Sequence, residues 1–414
     1  MKQTIMEHID DPVFLEQLYR KDKQNFVSAF SEIPDDFAAD LVRFWKLRLA
    51  PECESEVNLF LNRDLWVVIA LSLFTGILVK LPNLFSGIQA DTFYARNLAM
   101  IVFNGIILFT FWQYRLFEWK KLLVYGLSVL IVALFVNLLP LASGDSIILA
   151  LMHLPLLMWG LWGLVFIRFD HHAMDQRIGF IRFNGELLIM TGLILIAGAI
   201  LAALTLGLFS AIDVSIEEFY LEYVVVFGSV AAPIISFYLI QLYPTITSRI
   251  APVIARIFTP LVVITLTIYL ISLIAAQSKI LEDRGLLLLF NIMLLAVMAI
   301  IVFSISQLDK SKDRNVNILI LFLLAGMAII VNGIALTAII TRLTHGFTPN
   351  RTVVLGSNLL IFINLILIAR NLFRAYFHIN QLDSVEKTIA QYLPVYLAWT
   401  LFVIFALPFI FGMK

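Results

Sequence analysis

The sequence predicts an all-α, polytopic membrane bundle of about eleven spans, preceded by a small N-terminal helical hairpin. Three observations carry that expectation. Apolar residues make up 61% of the chain and charged residues 14%, against roughly 25% charged in soluble domains. The charge is crowded, with 21 of the 58 Asp, Glu, Lys and Arg residues in the first 64 positions. Beyond them, apolar runs of the ~20 residues that a helix needs to cross a bilayer recur along the chain. The domain boundary is therefore expected between a head at 1–64 and a membrane body at 65–414.

The head reads as two amphipathic helices. Asp11-Pro12 supplies an N-cap followed by proline at the first helical position. Phe14, Leu18, Phe26 and Phe30 then recur at helical spacing, and "SEIPDD" (31–36) ends that helix. Phe37, Leu41, Trp45 and Leu49 form a second stripe, closed by Pro51. So small a hairpin is expected to need cover for its stripes from the membrane body, the bilayer surface or a partner. The head is acidic, with 13 carboxylates against 8 basic residues, and lacks the basic stripe that a phosphate backbone requires. Nucleic acid is not an expected partner. The lone Cys53 excludes a disulfide framework and a multi-cysteine metal cluster.

In the body, spans are expected near 65–84, 97–113, 122–142, 147–167, 186–211, 224–243, 259–277, 286–306, 316–341, 352–373 and 393–412. The first ~30 residues contain no apolar core of the signal-peptide kind, which places the head in the cytoplasm. Loop charge agrees: with the N-terminus inside, 14 Lys and Arg fall in inner loops and 6 in outer segments, and the C-terminus lies outside. Gly198 and Ala202, Ala199 and Ala203, and Gly228 and Ala232 stand four apart, a spacing that lets helices approach closely in lipid. Pro155 and Pro233 fall inside spans and are expected to kink them.

Several polar groups are candidates for chemistry. "RLTHGFTPNR" (342–351) joins two long spans. Gly346 suits the position just past a helix end, and Thr348-Pro349 suits the start of the next helix. The same stretch puts arginines beside a helix N-terminus, so Arg342, Thr348, Asn350 and Arg351 are candidates for holding an anion or lipid headgroup. The turn alone accounts for these residue types, and is the preferred account. Asn137 and His153 flank the short "SGDS" link, each about 8 Å deep in its span. They are expected to hydrogen-bond as an intramembrane polar pair.

"DHHAMD" (170–175) has metal-ligand residue types but no third ligand at a familiar spacing, so no metal is expected. Glu186 is expected in the first turn of its span. The acidic stretch 213–223 is expected to be solvated or to pair with Arg342 and Arg351. No phosphate-cradling glycine loop, Gly-x-Ser-x-Gly elbow or His-Glu-x-x-His occurs, and no span carries paired carboxylates. Neither a catalytic residue nor a cofactor is assigned.

"RLTHGFTPNR" is also similar to the signature of the bacterial inner-membrane family called domain of unknown function 4153, in which an arginine precedes Tyr/His-Gly-Leu/Phe-Thr-Pro-x-Arg. "IAPVIARIFTPLVVITLTIYLI" (250–271) resembles that family's span before the signature. The resemblance covers the membrane body, most clearly residues 244–377. It implies a bacterial inner-membrane protein and carries no activity.

Two functions fit these observations. The first is a non-enzymatic anchor or sensor module in the lipid bilayer, docking a cytoplasmic protein through residues 1–50. The alternative is a transporter or flippase of a polar, anionic or lipid-linked small molecule. A glycan- or phosphate-transferring enzyme ranks below both, for want of an acid or base.

Overall fold

The computed structural model describes residues 2–9, 11–21, parts of 26–48, 63–85, 87–140, 144–170, 172–210, 215–243, parts of 259–271, 284–306, 316–344, 346–377 and 382–413. The chain divides into two compact units, Met1–Trp66 and Val67–Lys414. Regular structure among the described residues is helical throughout.

In the first unit, helix α1 (Lys2–Glu7) precedes α2 (Pro12–Lys21). The expected cap is present, with Asp11 Oδ1 accepting from the backbone N–H of Val13 and Phe14 at 3.0 Å. Phe26, Phe30 and Trp45 are buried against one another and against Ile5, Leu15 and Val42. Phe26 and Phe30 of the first stripe and Trp45 of the second are thus covered within the unit, and α1 contributes Ile5, an apolar side chain that a two-helix reading omits. Phe37, Leu41 and Leu49 lie outside the described residues. Arg48 closes the unit on one side, donating to Glu16 Oε2 at 2.7 Å while stacking on Trp45. Arg48 and Arg20 together hold the Glu16 carboxyl below its ordinary value.

Among the described residues, the second unit contains eight helices long and apolar enough to cross a membrane, with Leu294–Ser306 a shorter apolar helix beside them. Helix α3 (Arg63–Val79), at 17 residues, is not one of those eight. It stops because Pro82 follows, where a proline ring cannot continue the preceding turn. Then come α4 (Ala90–Gln113), α5 (Trp119–Leu138), α6 (Asp145–Phe166) and α7 (Met174–Ser210). A π turn, Tyr220–Val225, leads into α8 (Val226–Leu242). After α9 (Arg284–Ser306) follow α10 (Val316–Leu343) and α11 (Pro349–Phe377). Last is α12 (Leu382–Leu401), extended by a second π turn, Phe402–Ala406, just before Pro408. Much of the expected span at 259–277 lies outside the described residues. Glu186 sits well inside the 37-residue α7, not in a first turn, since helix-compatible polar residues extend that helix back to Met174.

Two sets of helices carry much of the packing, joined where α6 meets α11 and α12 and where α7 meets α9 and α12. In one, α4 packs on α5, α6 and α8, and α8 on α7; in the other, α10 packs on α9 and α11, and α11 on α12. The first group is held by aromatic rings, with Trp162 against Phe180, Phe183 and Phe237. The second has an aliphatic core that includes Leu324, Val331, Leu365 and Ile368. Close approach is decisive at Gly356, where a Cβ would fall 2.1 Å from the Trp399 ring. By contrast, Gly198 and Gly228 have nothing within 4 Å of such a Cβ, so their small-residue spacing serves no close contact within the described chain.

The contacts of charged side chains lie towards the ends of the helices. At one end Lys80 pairs with Glu222 at 3.6 Å and Asn350 donates to Asp145 Oδ2 at 2.6 Å. The Glu222 partner differs from the expected Arg342 and Arg351 because α3, not the 342–351 turn, brings a cation to the π turn. At the other end Arg182 donates to the Ser306 carbonyl at 2.8 Å and lies 3.8 Å from the buried Glu386, and Arg177 reaches the Ala390 carbonyl at 3.2 Å. There α4 and α6 close with arginine in the left-handed conformation, Arg115 at φ 54° and Arg168 at φ 56°. The N–H groups of Leu116 and Phe169 turn back to the carbonyls of Phe111 and Leu164, and each cation favours the carbonyl-rich helix end. Burial pushes the Tyr114 hydroxyl up to about 12, against the opposing pull of Arg168.

Candidate functional site

The link 342–351 has the geometry of a helical turn. Gly346 takes φ +105° and its N–H donates to the Leu343 carbonyl at 2.9 Å, ending α10. Thr348 Oγ1 accepts from the Arg351 N–H at 3.3 Å, opening α11 with Pro349 in its first turn. The Arg351 guanidinium folds back across the turn to the Gly346 carbonyl at 2.7 Å. Asn350 is engaged with Asp145 at the start of α6. Arg342 is in the last turn of α10 and half-buried, with an interaction of its own. Three of the four candidate residues thus hold the turn or tie it to α6. His345 lies outside the described residues.

Asn137 and His153 do not form the expected pair. Asn137 exchanges amide hydrogen bonds with Asn97 on α4, at 2.9 and 3.1 Å, and His153 Nδ1 bonds to the Leu149 carbonyl at 2.8 Å, one turn back on its own helix. The short link does not dictate partners here, because α5 and α6 both pack on α4. Arg96, one residue before the span expected at 97–113, is a buried side chain. It donates to the carbonyls of Asn137, Leu139 and Pro140 at 2.9, 3.0 and 3.1 Å, capping the C-terminus of α5.

The arrangement with most chemical content lies between α10, α11 and α12. Along α11, Asn350, Ser357, Asn364 and Asn371 recur at seven-residue intervals, which keeps them near one helix face. The last three face α12: Trp399 Nε1 donates to Ser357 Oγ at 2.9 Å, Asn364 Nδ2 to Tyr396 Oη at 3.0 Å, and Asn371 Nδ2 to Thr388 Oγ1 at 2.6 Å. From Asn350 to Asn371 the helix rises about 31 Å, close to the ~30 Å thickness of a hydrocarbon core. A polar seam therefore accompanies α11 across its full span.

Halfway along, the seam widens. Asn364 stands near the middle of the 29-residue α11, and Asn332 near the middle of the 28-residue α10. Asn332 is fully buried and donates through Nδ2 to the Asn358 carbonyl at 3.0 Å. Tyr392 Oη donates to the Leu360 carbonyl at 2.9 Å. Both Asn332 Oδ1 and Asn364 Oδ1 are buried without a hydrogen-bond partner among the described residues. Each amide is oriented by the bond that its nitrogen makes. The two oxygens are bare acceptors at mid-span, where leaving such a group unsatisfied costs about 1–3 kcal/mol.

A seven-residue polar period in an apolar helix was readable in the sequence, but overall hydropathy conceals it. Which oxygens lack donors depends on partners from three helices and has no sequence signal.

No protein-family model, no curated protein and no solved structure matches this chain.

Proposed function

We propose that this chain is a transporter of a small polar molecule in a bacterial inner membrane, with residues 1–64 on the cytoplasmic side. The membrane placement rests on eight helices of spanning length and composition. The finer location and orientation rest on the loop-charge bias and on the resemblance of "RLTHGFTPNR" to the uncharacterised inner-membrane family. The single observation that carries transport is the mid-span cluster of Asn332, Asn364 and Tyr396 on a polar seam crossing α11. Substrate sites of secondary transporters lie near the bilayer midplane, where helix interfaces supply polar groups. Interhelical hydrogen bonds as such hold helices together, and the paired residues of the seam do that work; its two unpaired oxygens are left over for a ligand.

Substituted-cysteine labelling tests this reading. In a Cys53→Ser background, cysteines replacing Ser357, Asn364 and Asn371 are exposed to a membrane-impermeant maleimide from each side of oriented vesicles. Labelling at 364 from both sides supports alternating access, and complete protection from both sides refutes it.

A second reading keeps the head as a docking module for a cytoplasmic protein. It is favoured by the separate compactness of Met1–Trp66 and by Val13 and Phe44, which remain exposed on that unit. Deleting residues 1–50 tests it: an unchanged set of co-purifying proteins removes the docking role.

A further inference from the structure

The mid-span cluster also restricts what it can hold. Between residues 318 and 341, 352 and 369, and 388 and 410 the sequence contains no Asp, Glu, Lys, Arg or His. The nearest arginines of α10 and α11 lie at or beyond positions 342, 351 and 370, six or more residues along the helix from Asn332 or Asn364, or upwards of about 9 Å of rise. A charged ligand at mid-span would therefore find no opposite charge on these three helices. Transfer of an unpaired ion into such surroundings is prohibitive, whereas a neutral donor gains a hydrogen bond at each bare oxygen.

We infer that Asn332 Oδ1 and Asn364 Oδ1 each accept a hydrogen bond from an ordered water, so the α10–α11–α12 cluster is a hydrated site for a neutral, hydroxyl- or amide-bearing solute. This deepens the transport reading and rests on the same seam. It narrows the expected polar, anionic or lipid-linked cargo to the uncharged class. A solute hydroxyl or amide N–H binds by replacing the water at either oxygen while reproducing its hydrogen bond. The two oxygens stand on different helices, Asn332 on α10 and Asn364 on α11.

The geometry accounts for the amide side chains. Asparagine both donates and accepts. Asn332 uses its nitrogen on the Asn358 carbonyl and Asn364 uses its nitrogen on Tyr396, which leaves an oxygen fixed in place for a donor. Carboxylates at the same positions would introduce a buried charge, and leucines would leave nothing to bind.

Radiolytic hydroxyl-radical footprinting of the purified full-length protein tests the inference, because side chains beside bound water are oxidised even when shielded from bulk solvent. Tyr396 is expected to be labelled well above Trp159, which is likewise half-buried but packs on Phe180 with its N–H satisfied by Asn184. Asn364→Leu should bring Tyr396 down towards the Trp159 level, and glycerol at high concentration should lower Tyr396 labelling in the wild type relative to the exposed Tyr243, a ratio that cancels radical scavenging by glycerol, while sodium chloride at matched osmolality should leave that ratio unchanged. Should Asn364→Leu misfold, Asn332→Leu with labelling read at Tyr392 gives the same contrast. Tyr396 labelled no faster than Trp159 in the wild type overturns hydration, whatever the cysteine experiment shows. Protection by the salt and not by glycerol overturns the neutral class. A wet cluster combined with no cysteine labelling at 364 leaves this inference standing and removes transport.

Discussion

Arg96 closes the end of a helix to which it does not belong. From the second turn of α4 its guanidinium reaches the Asn137, Leu139 and Pro140 carbonyls at the C-terminus of α5, all within 3.1 Å. A fork of several N–H donors can meet three carbonyls at once, and its charge complements the negative end of the α5 dipole.

Arg96→Ala should therefore destabilise the membrane body by about 3 kcal/mol, from the lost charged hydrogen bonds and the carbonyls left without donors. Arg96→Lys should recover only part of it, since an ammonium on a shorter stem cannot span the same acceptors. Thermal unfolding in detergent measures both, and equal stability of the Ala and Lys variants would show that the fork is unimportant.

The reciprocal Asn97–Asn137 amide pair predicts coupling between two helices. A double-mutant cycle with Asn97→Ala and Asn137→Ala should give about 1 kcal/mol of interaction. The corresponding cycle for Asn137 and His153 should give none, because those side chains bond elsewhere.

Gly356→Ala should cost about 1–3 kcal/mol, because its Cβ would overlap the Trp399 ring and push that ring off Ser357. Gly198→Ala has open space and higher helix propensity, so it should be neutral or slightly stabilising. Comparing the two melting curves checks that the close approach is specific to the α11–α12 interface.

In the head, Arg48 and Arg20 lower the Glu16 carboxyl, so the ionised form is the one favoured by folding. The resulting stabilisation is present above the usual glutamate value, about 4.3, and is lost as pH falls through the depressed folded value. Amide exchange over residues 12–21 should accelerate on acidification in the wild type. Glu16→Gln should remove that part of the pH dependence, and identical pH profiles for the two proteins would exclude the contribution.

Much of the architecture was legible without coordinates. Asp11-Pro12 announced the start of α2, and Leu343 to Arg351 announced a stop, a link and a start, because capping depends on residues within one turn of each other. The membrane class was equally plain, since a long apolar helix is a local property. Partner choice was not legible. Glu222 was grouped with the outer arginines by topology, yet it pairs with Lys80, a residue inside a span that loop counting passes over. His153 looked like the neighbour of Asn137 because only four residues separate the expected spans, but the helix nearest in sequence need not be the helix that presents a matching amide.

The sequence by itself determined that this chain is helical and membrane-spanning, that its charge is concentrated in a head, and that α11 carries amide and hydroxyl groups every seventh residue. Those are matters of composition and period. Tertiary structure alone decided that the seam faces α12, that Arg96 caps α5, and that two asparagine oxygens at mid-span have no hydrogen-bond donor among the described residues. Hydrogen bonding is settled by which atoms lie within about 3 Å, and distances that short between separate helices are set by packing.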